Sequence, residues 1–238
     1  MVNEVDVSSV LGLTSDHIYF NCDERITSPI HHHIVSPFLA LQADAKQAGF
    51  DLQIVSGFRD FERQLAIWTR KASGQRTLLD DRGEVLNFNA LDSKALLAAI
   101  IRWSAIPGAS RHHWGTDIDV FDASAVAPDY DVQLIPDEVN ESGPFGRLHD
   151  WLDEQMKLGR AHGFFRPYAH DTGGIAPERW HLSYAPLSYQ FQQSLSKEAL
   201  FQVWEDVNLP LLSDIGDAWE RIWTQFITID DAVYPSIG

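Results

Sequence analysis

Residues 110–122, with the sequence SRHHWGTDIDVFD, contain the strongest structural pattern in the chain. From residue 116 onward, β-branched or apolar side chains alternate with acidic or aromatic ones, and this period of two is typical of a β-strand. Gly115 lets the chain turn just before the strand, so that a histidine before the turn and an aspartate after it can converge. The pattern predicts a rigid strand that carries Asp117 and Asp119 on the same side.

Three helices and one strand are predicted before this stretch. Ser36 with Pro37 is typical of an N-cap followed by the first helical position, and Asp60 is suited to cap a second helix. The predicted elements are a helix from Ser36 to Gly49, a strand over 50–56, a helix from Asp60 to Gly74 and, after a surface excursion over 75–91, a helix that starts at Asp92 or Ser93 and reaches Ser104.

The chain after residue 122 predicts a loop, short strands and a helical tail. The predicted elements are a loop over 123–143, a helix from Pro144 to Gly159, strands over 164–168 and 179–184, and helices from about Leu187 onward. No linker or internal repeat divides these parts. We therefore predict one α+β domain over residues 1–186, with its core at about 36–184, and a helical C-terminal extension over 187–238 packed on the same domain.

Composition excludes several classes of protein. The 238 residues contain 18 Lys and Arg against 34 Asp and Glu, a net charge of −16 that repels phosphate backbones. Nucleic acid is therefore not an expected partner. Hydrophobic residues make up 45% of the chain, which is enough for a folded core, and Cys22 is the single cysteine, so no internal disulfide can form.

The beginning of the sequence, MVNEVDVSSVLGL, has neither a basic region nor a long apolar run. No apolar run approaches the roughly 18 residues that a membrane span requires. We expect no secretory signal and no span, and thus a cytoplasmic protein if Met1 is the true start. Removal of a leader would instead allow a periplasmic or secreted protein. The oligomeric state is not indicated.

Histidines and carboxylates, which are common zinc ligands, occur in two clusters. The first contains His112, His113 and Asp119, and the second contains Glu178 and His181 three residues apart. Each cluster alone is weak evidence, because a single histidine is more often a structural residue. Together they supply the three protein ligands of a catalytic zinc site and one spare carboxylate.

Three motifs in this order resemble the signature of a known family. The pattern S-x-H-x-x-G-x-x-x-D at residues 110–119, followed by E-x-W-H at residues 178–181, is similar to that of the D-alanyl-D-alanine carboxypeptidases of the VanY and LdcB type, zinc peptidases of the LAS group. Upstream, SGFRDF at residues 56–61, with Gln64, resembles the Ser-Gly-Tyr-Arg-Ser element of that family. The resemblance covers about residues 36–184.

The resemblance implies a fold and a set of roles. A small antiparallel sheet that carries the zinc site is flanked by helices, as in hedgehog-like and D,D-peptidase relatives. Glu178 is the general base for a zinc-bound water, and Arg59 faces the scissile carbonyl. The implied ligands of Zn²⁺ are His112, Asp119 and His181.

Two residues near these ligands have open roles. Asp117 stands where many family members have alanine, so it is either an acceptor that orients a ligand imidazole or a selectivity group for a cationic substrate amine. His113 is an alternative ligand to its neighbour His112, but its spacing to Asp119 departs from the family pattern.

Ser110, Gln64 and Trp180 are predicted to bind substrate or to support the ligands. Ser110 more simply structures its loop, and Trp180 more simply fills the core. Arg59 has the alternative of pairing with a surface acid. The run of histidines at 31–33 is interpreted as a loop without a metal role.

The resemblance implies hydrolysis of a terminal D-amino acid, D-Ala, from peptidoglycan stem peptides. A peptidoglycan-derived peptide is therefore the expected partner. The family cleaves several bonds, so a D-Ala-D-Ala dipeptidase, an L,D-carboxypeptidase and an endopeptidase remain alternatives. A zinc-bound interaction module without catalysis is the alternative from another class, and the presence of both Glu178 and Arg59 argues against it.

Overall fold

A computed structural model describes residues 5–235 of the protein. The β-strands are β1 (Ile18–Tyr19), β2 (Ile30–His31), β3 (Leu52–Ser56), β4 (Asp117–Asp122), β5 (Phe164–Phe165) and β6 (His181–Tyr184). The α-helices are α1 (Val7–Val10), α2 (Val35–Gln47), α3 (Phe61–Ala72), α4 (Ser93–Trp103), α5 (Pro136–Val139), α6 (Gly146–Lys157), α7 (Ala185–Gln193), α8 (Lys197–Asp206), α9 (Leu212–Asp217) and α10 (Trp219–Ile222).

Four strands form one antiparallel sheet in the order β3-β4-β6-β5, and β1 pairs with β2 separately. The central pair aligns Asp119 with His181 and Asp117 with Ser183. Because residues that face each other across an antiparallel pair project to the same side, Asp119 and His181 share one face of the sheet. The predicted α+β fold with a small antiparallel sheet is confirmed.

Aspartates begin two of the predicted helices. The Arg63 backbone N–H donates to Oδ1 of Asp60 at 2.7 Å, and the Ala95 N–H donates to Oδ1 of Asp92 at 2.8 Å. Each carboxylate thus satisfies one of the backbone donors that a helix start leaves without an intrahelical acceptor. Of the two predicted starts for α4, Asp92 is the cap.

The prediction that Ser36 caps α2 is wrong. A 3₁₀ turn over His32–Ile34 leads directly into the helix, which begins at Val35, so Ser36 lies within the first turn. Pro37 is tolerated there because the first-turn N–H groups have no intrahelical acceptor.

The region after β4 also differs from the prediction. The predicted loop contains α5, where the Glu138 carboxylate accepts the backbone N–H of Leu134 at 2.7 Å and that of Gln133 at 2.9 Å. The next helix begins at Gly146 rather than Pro144. Strand β5 ends at Phe165, and Nε of the next residue, Arg166, donates to Asp153 on α6 at 2.7 Å.

The core has two main parts. Apolar residues of β3, β4 and β6 pack against α2 and α6 in one, and residues of α3, α4 and the C-terminal helices form the other. Trp204 is fully buried and Trp219 is 6% exposed, so these C-terminal side chains pack in the core. Helix α7 runs through the predicted boundary between domain and extension, which stays a prediction. The limits 1 and 238 lie outside the described residues.

Over residues 5–235, no helix has the length and apolar content needed to cross a membrane.

Gly115 fixes the approach of the 3₁₀ turn Arg111–Trp114 to β4. Its φ is +64°, and a Cβ there would lie 2.5 Å from Ile18 Cδ1 and 2.8 Å from the backbone nitrogen of His31. The His31 N–H also donates to the Gly115 carbonyl at 2.8 Å. Only glycine meets the left-handed conformation and this close approach at once.

We expect Gly115→Ala to lower the free energy of unfolding by about 2–4 kcal/mol, because a left-handed alanine is strained and its methyl group overlaps β1 and β2. Gly159→Ala is the matched control, since Gly159 has φ +67° with no atom within 4 Å of an added Cβ. Its cost should be about 1–2 kcal/mol, from backbone strain alone. Equal losses in urea denaturation would contradict this explanation.

Candidate active site

Three side chains from two parts of the chain converge on one face of the sheet. His112 comes from the 3₁₀ turn before β4, Asp119 from β4 and His181 from the start of β6. Each offers one ligand atom, and these atoms lie within 4.8 Å of one another. All three residues are buried. This donor set suits one metal ion, because two imidazoles and a carboxylate are typical ligands of a three-residue zinc site.

The hydrogen bonds of His112 orient it for metal binding. Its Nδ1–H donates to the Gly57 carbonyl at 2.9 Å, which leaves Nε2 unprotonated, 3.4 Å from Oδ2 of Asp119. Burial lowers the pKa of His112 to about 4. The imidazole is therefore neutral near pH 7, as a metal ligand must be.

The imidazole of His181 lies between two carboxylates. Its Nδ1 is 3.1 Å from Oδ1 of Asp119, and its Nε2 is 3.0 Å from Oδ1 of Asp117. Burial alone would lower the pKa of His181, but hydrogen bonds and charges from the two aspartates raise it to about 10. A metal at Nδ1 would replace the proton on that nitrogen. Nε2 would keep its own proton and donate it in a hydrogen bond to Asp117.

Asp117 is fully buried, and its carboxylate accepts hydrogen bonds from three side chains. Besides His181 Nε2, its carboxylate accepts Nε–H of Arg111 at 2.8 Å and the hydroxyl of Thr116 at 2.7 Å. Burial alone would raise the pKa of this carboxyl, but Arg111 and His181 hold it well below its usual range. The position of Asp117 agrees with the role of orienting an imidazole, the first of the two that we considered for it.

Glu178 lies beside the three candidate ligands. Its Oε2 is 3.7 Å from Nδ1 of His181, and its side chain is 18% exposed. Burial raises the pKa of the carboxyl to about 7, and the charge of Asp119 contributes to the increase. The carboxyl therefore faces the same space as the candidate metal ligands.

Arg59 is held by side chains of its own motif. Its Nη1 donates to Oε1 of Gln64 at 2.8 Å, and its Nη2 donates to the hydroxyl of Ser56 at 3.3 Å. Nε2 of Gln64 donates in turn to the Ala105 carbonyl at 2.6 Å. Burial lowers the pKa of the guanidinium, and the charges of Asp119 and Glu178 oppose this effect. The alternative of a surface ion pair does not describe this arginine.

Both ring nitrogens of His113 contact backbone groups. Its Nδ1–H donates to the Arg59 carbonyl at 2.6 Å, and its Nε2 accepts the Gly108 N–H at 3.0 Å. Because both ring nitrogens are engaged by backbone groups, His113 cannot replace His112 as a ligand without breaking these bonds.

The other predicted residues lie around this centre. Ser110 is buried, and its carbonyl accepts the His113 N–H at 3.0 Å within the 3₁₀ turn. Trp180 packs in an apolar cluster with Val139 and Phe145, which agrees with its simpler role in the core. The run at 31–33 is not a plain loop, because His31 belongs to β2 and the next residues form a 3₁₀ turn.

Three residues near the site were not predicted. Tyr168 packs its ring 5.2 Å from that of His181, and Arg111 binds Asp117. Nζ of Lys71 donates to the hydroxyl of Ser104 at 2.6 Å, and burial lowers the pKa of this lysine to about 8. Lys71 follows Gln64 by seven residues on α3, a spacing that indicates a shared helix face. The sequence carries no comparable signal for Tyr168 or Arg111.

The fold and these side chains suit a metal-dependent hydrolase, with a His-Asp-His metal group, a nearby carboxylate and an arginine. The sequence profile of the VanY family, described as D-alanyl-D-alanine carboxypeptidase, matches residues 27–187. The chain belongs to this family, and the resemblance stated from the three motifs is confirmed.

Two curated relatives come from Haemophilus influenzae, and both are described as uncharacterized proteins. One is 50% identical over 72 residues, which is 30% of this chain and 49% of the relative. The other is 32% identical over 124 residues, which is 51% of this chain and 92% of the relative. The chain thus spans about half the length of the first relative and nearly all of the second.

Solved structures of similar fold include a mutant of the vancomycin-resistance D,D-pentapeptidase VanY in complex with Zn(II). It is 22% identical with a TM-score of 0.46, and the alignment covers 82% of this chain and 99% of that one. The L,D-carboxypeptidase LdcB is 23% identical with a TM-score of 0.45, over 84% of this chain and 74% of that one.

We expect equilibrium dialysis to find one tightly bound Zn²⁺ per chain, because the three converging ligand atoms form one site. His112→Ala and His181→Ala should each abolish tight binding. His33→Ala is the control for histidine removal and should still bind one ion. Loss of zinc from His33→Ala, or its retention by His112→Ala, would contradict the assignment.

Proposed function

We propose that the protein is a zinc-dependent carboxypeptidase that removes a terminal D-amino acid from peptidoglycan stem peptides. One observation carries the proposal: in a member of the VanY family, the carboxyl of Glu178 lies 3.7 Å from a nitrogen of the His-Asp-His group. A site that only bound metal for structure would have no use for a carboxyl in that position.

The donor chemistry of the three residues fits zinc. His112 donates its Nδ1–H to the Gly57 carbonyl, so its Nε2 is available to a metal. His181 bonds to Asp117 through Nε2, so its Nδ1 is available to the same metal. His112 Nε2, a carboxylate oxygen of Asp119 and His181 Nδ1 would therefore hold the ion. When bound, zinc supplies a Lewis acid that polarises a carbonyl and acidifies water.

Glu178 is suited to move the proton of the reaction. Its carboxylate takes a proton from the attacking water as the water oxygen bonds to the carbonyl carbon. The same carboxyl then returns this proton to the nitrogen of the leaving D-amino acid as the C–N bond breaks. One side chain thus acts as base and then as acid, and it ends in its starting state.

Arg59 is suited to bind the carbonyl oxygen on which negative charge develops. Gln64 and Ser56 fix its guanidinium before substrate arrives, so little reorganisation is needed during the reaction. A preorganised donor of this kind contributes roughly 3 kcal/mol to transition-state stabilisation at other oxyanion sites. Gln64 acts through Arg59 and is a positioning residue in this scheme.

We expect Glu178→Gln to bind zinc as the wild type does and to lose about 10²- to 10⁴-fold in turnover, because an amide cannot accept the water proton. Glu154→Gln changes an exposed acid of α6 in the same way and should keep full activity. Substrates should be stem peptides that end in D-Ala-D-Ala or in a single D-Ala, and also free D-Ala-D-Ala, with products identified by mass spectrometry.

The products decide between the bonds that the family cleaves. Release of single D-Ala from the pentapeptide supports the proposed D,D-carboxypeptidase. Release of D-Ala only from the stem tetrapeptide, which ends in a single D-Ala, would favour an L,D-carboxypeptidase. Cleavage of free D-Ala-D-Ala alone would favour a dipeptidase. Zinc binding without hydrolysis of any of these peptides would contradict the proposal and favour an interaction module.

A further inference from the structure

Arg111 connects the candidate metal site to the C-terminal part of the chain. Its side chain is 1% exposed, and its Nε–H donates to Asp117, which itself accepts from Nε2 of His181. Only the carboxylate of Asp117 therefore lies between the guanidinium and the candidate metal ligand His181. Asp117 is also the position at which this sequence departs from the alanine that the family resemblance leads us to expect.

The remaining bonds of Arg111 go to β6 and to residues beyond the family match. Nη2 donates to the hydroxyl of Ser183 at 2.8 Å. Nη1 donates to Oε1 of Gln192 at 3.2 Å and to the hydroxyl of Tyr234 at 3.1 Å. The VanY profile ends at residue 187, so both of the latter partners lie in the C-terminal segment.

Gln192 also holds the segment that carries Tyr234. Its Nε2 donates to the Ile229 carbonyl at 2.9 Å, and the Ile229 N–H donates to its Oε1 at 3.1 Å. The Oε1 atom thus receives both this backbone group and Arg111. The segment 229–234 is thus held at both ends. The Gln192 side chain binds the backbone of Ile229, and Arg111 binds the hydroxyl of Tyr234.

A buried arginine needs such partners. Removing the charge from water is costly, and an ion pair offsets that cost only when its other N–H groups are satisfied. Trp114 and Tyr234 face the guanidinium, with their ring centroids 4.6 and 5.8 Å from its central carbon. The two rings and the four hydrogen bonds leave Arg111 little rotational freedom, and Asp117 is fixed as a result.

We propose that Gln192 and Tyr234 are positioning residues of the metal site. They hold Arg111, Arg111 holds Asp117, and Asp117 keeps the proton of His181 on Nε2 so that Nδ1 points to the metal. The inference rests on the proposed function for the presence of the metal. It gives the C-terminal segment a role in the site that the family match does not assign to it.

A purely structural role for Tyr234 makes a different prediction. If the segment only covered the core, loss of the hydroxyl would lower the stability of the metal-free protein and leave zinc affinity unchanged. If Tyr234 acts through Asp117, removal of its hydroxyl must lower zinc affinity. This decrease in affinity must be absent in a variant that lacks the Arg111–Asp117 pair.

The test compares zinc affinity by chelator competition with the unfolding free energy of the metal-free protein. Tyr234→Phe, which removes the hydroxyl and keeps the ring, should weaken zinc binding about threefold to tenfold. Arg111→Met with Asp117→Ala replaces the buried pair by apolar groups, a change that folded proteins often tolerate. This double variant should bind zinc about 10- to 100-fold more weakly, and adding Tyr234→Phe to it should have no further effect on affinity.

Tyr189→Phe is the matched control, because Tyr189 packs against Tyr234 and its hydroxyl points to Asp231 rather than to Arg111. Its zinc affinity should equal that of the wild type. Tight zinc binding by the wild type with unchanged affinity in Tyr234→Phe would overturn this inference alone. A wild type that binds no zinc would overturn the proposed function and the inference with it.

Discussion

The imidazole of His181 between Asp119 and Asp117 is the contact on which the site depends. Each of its nitrogens faces a different carboxylate, at 3.1 and 3.0 Å. Only one arrangement of the ring satisfies both contacts, so the nitrogen that faces the other candidate ligands is decided before any metal binds. The antiparallel register of β4 and β6 creates this arrangement, because it sets Asp119 opposite His181 and Asp117 one pleat further along.

The rest of the fold keeps this register in place. Gly115 brings the 3₁₀ turn onto β1 and β2, so that His112 reaches the same face of the sheet. Behind the ligands, Arg111 balances the buried charge of Asp117 and donates hydrogen bonds to two distant parts of the chain. The buried guanidinium of Arg111 thus lies directly against the buried carboxylate of Asp117. An unpaired carboxylate there would carry a large desolvation cost.

Much of the fold was predictable because its signals are local. The period of two identified β4, and aspartate caps identified α3 and α4. The start of α2 was missed because a 3₁₀ turn runs into it without a polar cap, and α5 was missed because a glutamate that accepts loop N–H groups leaves no periodic pattern. Both features are local in the sequence, but neither has the polar cap or the apolar period from which the other elements were predicted.

The candidate site was also predictable only in part. The family resemblance implied His112, Asp119 and His181 as one ligand set, and the structure brings their ligand atoms together. The resemblance places His112 rather than His113 in this set, and the structure gives a physical reason, because both ring nitrogens of His113 are bonded to backbone groups. Tyr234 lies 123 residues after Arg111, and no sequence pattern signals a contact at that separation. The roles of the site residues themselves stay predictions.

A crystal structure with zinc, located by anomalous scattering, tests the central claim most directly. The account predicts one ion about 2.0–2.2 Å from His112 Nε2, an Asp119 oxygen and His181 Nδ1, with His181 Nε2 still bonded to Asp117. Zinc on His113, or on Nε2 of His181 with Asp117 turned away, would contradict it.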